Sequence, residues 1–270
     1  MRDTKLVTRW YKYIILHHTA TSCMSADKMR DSMIRSRMIN KNSNTIPTHY
    51  IVWCEWDYLK VNDLSKNVWS TLNEEANENW IAIEIVWDFN NGYPMPSQYK
   101  QVKYLIDELQ KKYPWIEVKK HWDFQAKNCP WKNFDMTKLW SWIVEFSLSR
   151  YYSPIKWQPK YYQSSYEKDV CMNCGCQKDS SWNVITLYDC KKPADWHELK
   201  QEEFAKVVAC PPEYPLWTKF MLEWIGVVTC RDRGWAIKGR RLDLWCWYGL
   251  DKFNQCPTGK RLWYVLNLNN

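Results

Sequence analysis

The sequence predicts an α/β fold, a mixed sheet with flanking helices, in the first half of the chain, and three observations support this prediction. Two apolar runs, Tyr13–Leu16 and Trp80–Val86, are typical of buried strands. A helix is expected from Pro96, because apolar side chains recur there at helical spacing, and a short strand is expected at Ile116–Val118. Strands that alternate with helices in this way favour a mixed sheet covered by helices.

Local signals predict the remaining elements of this half. Ser25 is expected to cap a helix that reaches Arg37. Residues 40–47 are polar and predict a loop, and the runs 49–52 and 56–61 predict a hairpin. The helix from Pro96 should bury the apolar residues that share one face, which are Tyr99, Val102, Leu105, Ile106 and Leu109.

The chain length favours two domains, because 270 residues exceed one domain of ordinary size. Residues 145–165 are rich in Tyr, Ser, Pro and Lys and lack helical periodicity, which predicts a boundary. We therefore expect a first domain at 1–148 and a second at 149–270.

The chain is basic, with a formal net charge of +8. This charge favours an anionic partner such as nucleic acid, a membrane surface or an acidic wall polymer, although a basic surface is often only solvated. No apolar run approaches the ~20 residues that cross a bilayer, so no membrane span is expected. No apolar segment follows Met1–Lys5, so we expect no secretory signal and synthesis in the cytoplasm.

His121 and Cys129, eight residues apart and followed by Pro130, are the centre of the predicted chemistry. An imidazole and a thiolate both bind zinc, and the third ligand is expected from His17 at the end of the first strand. Three protein ligands leave one zinc position open, which is the arrangement of a catalytic site. The alternative is a packed histidine, a buried thiol and a solvated Lys127.

Glu84 lies inside an apolar run, where a carboxylate is costly to bury unless it has a partner. The alternative is that the side chain faces water at the edge of a sheet.

Three segments, His17–Thr21, Asn79–Val86 and His121–Pro130, resemble motifs of the zinc-dependent N-acetylmuramoyl-L-alanine amidases. The similarity covers roughly residues 8–145 and is closest to the short phage-lysozyme branch, which shares the fold of peptidoglycan recognition proteins. It implies a Zn²⁺ cofactor held by the three ligands named above.

The resemblance also implies roles for the neighbouring residues. Glu84 would be the general base, and Lys127 would stabilise the oxyanion together with the metal. Thr48 stands where the phage branch usually carries a tyrosine, which makes Glu84 the favoured base.

The resemblance implies peptidoglycan as the partner, with hydrolysis of the amide between N-acetylmuramic acid and L-alanine. Without a secretory signal, the expected protein is a monomeric, endolysin-like phage enzyme that is released to the cell wall and does not bind nucleic acid. Two alternatives remain open: a non-catalytic peptidoglycan-recognition protein, and a cytosolic amidase that recycles muropeptides.

The chain has 11 cysteines, and eight of them follow residue 170. Cys171, Cys174 and Cys176 include a Cys-x-x-Cys pair, which is compatible with a second metal or a redox site. A second clean pair is missing, so buried or loop thiols are the favoured interpretation.

A second group of motifs follows residue 150: Pro215–Lys219, Gly226–Val228, Asp232–Gly239 and Arg241–Leu244. They resemble the three-aspartate (3D) domain, which is a six-stranded double-psi β-barrel related to membrane-bound lytic transglycosylases. The second domain is therefore expected to be all-β.

By this resemblance Asp243 would be the acid/base residue, and Asp232 and Lys238 would line a glycan cleft. Cys210 stands where the first aspartate is expected, so the domain would either cleave the glycan strand or only bind it. A lytic transglycosylase needs one carboxyl group, whereas a glycoside hydrolase normally uses two.

The chain has 20 Trp and only 7 Gly, whereas glycine is ordinarily much more common than tryptophan in proteins. Trp217, Trp224 and Trp235 stand where the 3D family carries glycine, and Trp115 and Trp131 each follow a proline. Turns use glycine because it reaches positive φ without a steric cost. We predict that many of these positions, Trp56 in the predicted hairpin included, are TGA codons that the source organism reads as glycine. The alternative is that the tryptophans stack on sugars.

Overall fold

The chain divides into two compact units, residues 1–142 and 143–270. The computed structural model describes the following residues: 10–41, 46–55, 57–68, 78–125, 129–130, 133–141, 143–154, 170–171, 176–178, 180–181, 184–187, 192–248 and 252–266.

The first unit is built on a five-stranded sheet in the order β3-β2-β4-β1-β5. Its strands are β1 (Tyr13–His18), β2 (Tyr50–Val52), β3 (Tyr58–Lys60), β4 (Trp80–Ile85) and β5 (Glu117–Lys120). β3 pairs with β2 in the antiparallel sense and the other pairs are parallel, which confirms the predicted mixed sheet. β1 and β4 are buried along most of their length, which explains why their sequences are continuously apolar.

The described residues of this unit include the α-helices α1 (Ala26–Lys41) and α2 (Pro96–Lys112). The Ser25 hydroxyl accepts a hydrogen bond from the Lys28 amide at 3.4 Å, as a cap should. α2 buries the five apolar residues that the sequence predicts. Short 3-10 helices lie at His121–Asp123 and Met136–Leu139. No helix in the described ranges is long and apolar enough to cross a membrane.

The second unit contains a closed six-stranded barrel in the order β10-β11-β9-β12-β6-β13, which agrees with the expected all-β domain. Its strands are β6 (Val144–Ser153), β9 (Val207–Ala209), β10 (Lys219–Leu222), β11 (Gly226–Asp232), β12 (Arg241–Tyr248) and β13 (Gly259–Leu266). A separate pair is formed by β7 (Cys176–Lys178) and β8 (Val184–Leu187). Short 3-10 helices lie at Gln201–Glu203 and Phe253–Gln255. The double-psi topology remains a prediction.

The boundary between the units lies earlier than the sequence suggests. β6 begins at Val144 and pairs with β12 and β13, so the boundary expected after residue 148 falls inside a barrel strand. The Tyr- and Ser-rich composition of this segment belongs to a strand whose buried residues include Phe146 and Leu148. Residues 155–169, the rest of the expected linker, lie outside the described residues.

Disulfides occupy several cysteines for which the sequence favoured free thiols. The described pairs are Cys23–Cys54, Cys210–Cys230 and Cys246–Cys256. Cys171 is also disulfide-bonded, which removes it from the possible second metal site, while Cys174 and the side chain of Cys176 lie outside the described residues. Cys129 is free.

Tryptophan is over-represented in left-handed backbone conformations. Among the described residues, six other than glycine have positive φ, and four of these are tryptophans. They are Trp196 at 62°, Trp217 at 71°, Trp224 at 62° and Trp247 at 98°. Trp217 and Trp224 are two of the positions where the sequence predicts glycine. Trp115 and Trp235 lie outside this group, and Trp56 and Trp131 lie outside the described residues.

Candidate metal centre

The carboxyl ends of β1 and β4 bring two of the predicted residues together. The strands are parallel neighbours, and His17 of β1 is the register partner of Glu84 of β4. Register partners project from the same face of a sheet. His17 and Glu84 are both buried, so the pair lies in a protected environment.

The other two predicted ligands come from the loop after β5. His121 opens the 3-10 helix that directly follows this strand, and its ring centroid lies 4.5 Å from that of His17. Cys129 lies close to β1, since its Sγ accepts a hydrogen bond from the His18 backbone amide at 3.3 Å. The Trp122 amide donates to the Cys129 carbonyl at 2.9 Å, which ties the two ends of the loop together.

His17, His121 and Cys129 form a cluster with the geometry of a metal site. One ligand atom from each residue lies within 4.8 Å of the others. Ligand atoms around a tetrahedral zinc lie roughly 3.5 Å apart, so a modest contraction closes the cluster on an ion. Two nitrogens and a soft sulfur in a largely buried setting fit zinc better than magnesium or calcium, which prefer oxygen ligands.

Glu84 stands beside this cluster with a strongly perturbed carboxyl group. Burial raises the pKa of Glu84 from 4.5 to about 8, because the charged form loses its hydration. A nearby cation acts in the opposite direction and favours the carboxylate. The protonation of Glu84 is therefore expected to depend on whether a metal is bound.

Two neighbours of the cluster were not identified from the sequence. Gln125 Oε1 lies 3.2 Å from His121 Nε2, and a proton on Nε2 donates to it, which leaves Nδ1 as the nitrogen that can bind a metal. His18 Nδ1 accepts from the Phe89 amide at 3.3 Å, and burial lowers the pKa of His18. No spacing rule in the sequence points to Gln125.

The remaining predicted residues of this unit have different outcomes. Thr48 is buried, and its hydroxyl donates to the carbonyls of Tyr50 and Ala82 at 3.0 and 2.9 Å, which is a structural role. Lys127 lies outside the described residues.

In the second unit, Asp232 and Asp243 lie near each other on the barrel. β9 separates their strands, and Ala209 of β9 is the register partner of both. Lys238 is exposed in the loop between β11 and β12. Cys210 is buried in the barrel core and paired with Cys230, so this position holds no ionisable group.

The fold and the cluster of the first unit define a class, an α/β domain with a His–His–Cys site suited to a catalytic metal. Residues 8–132 match the family described as N-acetylmuramoyl-L-alanine amidase. The match spans all five strands of the sheet and the three candidate ligands, and it ends before the second unit. The first unit is thus similar to this family over the region that carries the candidate ligands. No curated protein matches the chain.

Several solved structures resemble the same half of the chain. The endolysin amidase LysCS from Clostridium intestinale URNW is 20% identical over 48% of this chain and 80% of its own, with a TM-score of 0.42. The Ph2119 endolysin from the Thermus scotoductus MAT2119 bacteriophage is 23% identical over 48% and 82%, with a TM-score of 0.42. Drosophila peptidoglycan recognition protein SD is 14% identical over 49% and 80%, with a TM-score of 0.43.

Proposed function

We propose that the first unit is a zinc-dependent N-acetylmuramoyl-L-alanine amidase that cleaves peptidoglycan at the amide between N-acetylmuramic acid and L-alanine. The observation that carries this proposal is the convergence of His17, His121 and Cys129 within a region that matches the amidase family. An intact ligand set favours catalysis over recognition alone.

The three ligands are suited to hold the ion and to keep it in place. The His18 amide donates to Cys129 Sγ, which favours the thiolate form that binds metal. Gln125 orients the His121 ring. A zinc ion bound there supplies Lewis-acid chemistry, polarising the scissile carbonyl and acidifying water.

Glu84 is the general base of the proposed reaction. As a carboxylate it takes the proton of the attacking water and then passes that proton to the leaving amine of L-alanine. Burial raises the pKa of Glu84 and a bound cation would lower it again, so the two effects together favour a carboxylate that can accept a proton and release it. Lys127 is proposed, from the resemblance alone, to stabilise the oxyanion.

Digestion of purified peptidoglycan by the full chain tests this function. Mass analysis should find stem peptides with a free L-alanine amine and glycan strands with intact lactyl groups. Cys129→Ser keeps the size of the side chain and is the matched control. Cleavage only within the stem peptide would contradict the proposal, and muropeptide binding without any product would favour the recognition alternative.

For the second unit we propose an action on the glycan strand, supported by the closed barrel and by the positions of Asp232 and Asp243 on either side of Ala209 in β9. Asp243 would protonate the glycosidic oxygen as its bond to the anomeric carbon breaks. It would then take the proton of the sugar 6-hydroxyl as that oxygen bonds to the same carbon. Products with 1,6-anhydro ends would support this mechanism, reducing ends would indicate hydrolysis, and wall binding without a product would indicate a glycan-binding module.

An endolysin-like role, in which the protein acts on the cell wall after release from the cytoplasm, is consistent with both proposals. Two wall-directed units on one chain raise their effective concentration on a polymeric substrate.

A further inference from the structure

The two carboxyl groups of the barrel share one face of three adjacent strands. Asp232 ends β11 and Asp243 lies in β12, and both are in register with Ala209 between them. Tyr151 of β6 is buried next to the pair, and its hydroxyl donates to Asp232 Oδ2 at 2.8 Å. The three groups therefore form one polar cluster on the barrel.

The hydrogen bonds in this cluster are distributed unequally. Asp232 accepts three of them: from Tyr151 at 2.8 Å, from the Ala194 amide at 3.0 Å and from the Arg233 amide at 2.8 Å. Asp243 Oδ1 is buried and has no hydrogen-bond partner within the described part of the chain. Donors stabilise a carboxylate, whereas a buried oxygen without a donor favours the neutral acid.

The surrounding charges do not remove this asymmetry. Burial raises the pKa of both carboxyl groups, and each negative charge would oppose the other. The Arg231 guanidinium forms ion pairs with Asp195 at 2.6 Å and with Glu203, and not with Asp232 or Asp243 among the described ion pairs. Asp195 raises the pKa of Asp232. A hydrogen bond with the Ser149 side chain and the charge of Arg241 lower the pKa of Asp243, so Asp243 has one such bond against three at Asp232, and its Oδ1 stays without a partner in the described part of the chain.

The loop that supplies the Ala194 amide is itself anchored to β11. The Asp195 amide donates to the Arg231 carbonyl at 3.1 Å, and the Arg231 guanidinium donates to the His197 carbonyl at 2.7 Å. The donors around Asp232 are therefore fixed by the fold and do not depend on a ligand.

We propose that Tyr151 is a positioning residue that, with two backbone amides, keeps Asp232 ionised and leaves Asp243 as the protonated member of the pair. The catalytic use of these proton positions rests on the proposed glycan-directed function, whereas the proton positions themselves do not. In that function Asp243 is the proton donor, and the Asp232 carboxylate faces the positive charge that develops on the sugar ring.

The proton positions can be measured without a substrate. The full chain, labelled with ¹³C at the aspartate carboxyl carbons, is titrated with acid and base by NMR, and Asp232→Asn and Asp243→Asn assign the two signals. In the wild-type protein Asp232 should ionise at a lower pH than Asp243. Tyr151→Phe keeps the ring and should raise the pKa of Asp232 by about one, the size expected for one lost hydrogen bond to a charged group.

Tyr152→Phe is the matched control, because this buried tyrosine is the next residue of β6 and should move neither signal. Ionisation of Asp243 before Asp232 in the wild-type protein would overturn the proposal, and this result needs no tyrosine variant to fold. An unchanged Asp232 titration in a folded Tyr151→Phe protein would also overturn it. Absence of glycan products would refute the proposed function of the unit while leaving the measured proton positions valid.

Discussion

Replacing the tryptophans at positive φ by glycine is expected to relieve strain in the second unit. Trp196, Trp217, Trp224 and Trp247 have φ between 62° and 98°. The left-handed conformation costs a residue with a Cβ about 1–2 kcal/mol, and glycine adopts it freely. A tryptophan also carries a large side chain, so glycine must be compared with alanine at the same site to isolate the backbone contribution.

Trp196 is the best site for this comparison, because its side chain is 79% exposed and loses few contacts on truncation. Against the 1–2 kcal/mol of strain stands the greater freedom of glycine in the unfolded chain, which costs about 0.5–1 kcal/mol relative to alanine. Trp196→Gly should therefore be more stable than Trp196→Ala by about 1 kcal/mol. The same sign is expected at Trp224, whose φ is also 62°.

Trp235 provides the control within the same unit. It is 90% exposed, and its φ lies outside the positive region. At such a position alanine should be more stable than glycine by about 0.5–1 kcal/mol. Urea titrations followed by the amide NMR signals of the barrel strands measure each pair of variants. Alanine variants as stable as glycine variants at Trp196 and Trp224 would refute the strain argument.

The coding DNA tests the cause of this pattern. If the positions are recoded glycines, codons 196, 217, 224 and 247 are TGA, while the buried tryptophans Trp80, Trp245 and Trp263 are encoded by TGG. TGG at all four positions with positive φ would exclude recoding there.

The other predictions concern the metal centre and the unit boundary. His17→Ala, His121→Ala or Cys129→Ala should remove zinc and amidase activity together, and chelation should inactivate the wild type until zinc is restored. Glu84→Gln should still bind zinc, as measured by elemental analysis, and its turnover should fall by about 10²–10⁴-fold. If Glu84→Gln keeps a near-normal rate while Lys127→Ala is inactive, the acid–base chemistry belongs to Lys127. In chelator-treated protein, the Glu84 pKa of about 8 exceeds 4.5, so its contribution to stability is present below pH 4.5 and is lost as pH rises through 8. The wild type should lose roughly 3 kcal/mol more than Glu84→Gln between pH 5 and pH 8 in urea unfolding, and equal slopes would contradict the buried carboxyl. Fragment 1–142 should keep amidase activity, and an aggregated or inactive fragment would contradict the division at residue 142.

The elements of the first unit could be predicted because their hydrophobic patterns are long and regular. α2 is an example, since its five predicted apolar residues are all buried. β6 was not predicted, because it is rich in serine and tyrosine and only part of it faces the core. Its identity as a strand comes from pairing with β12 and β13, which are distant in sequence.

The disulfides illustrate a different limit of the sequence. Eleven cysteines allow many pairings, and their spacing does not choose among them. Cys210 and Cys230 are paired because they meet in the barrel core, where β9 and β11 run side by side. Only the fold brings them together.

Glu84 shows how local pattern and tertiary register combine at the candidate site. The sequence shows a carboxyl group in an apolar strand and leaves two explanations open, exposure at an edge or a functional partner. The structure excludes the first, because β4 lies between β1 and β2 and Glu84 is buried. The register then supplies the partner, since the residue opposite Glu84 on β1 is His17. An uncompensated carboxylate at this position would cost several kcal/mol, and the proposed metal on the neighbouring histidine would supply the compensating charge. A buried glutamate at this register is therefore favourable in a site that binds zinc and uses a general base.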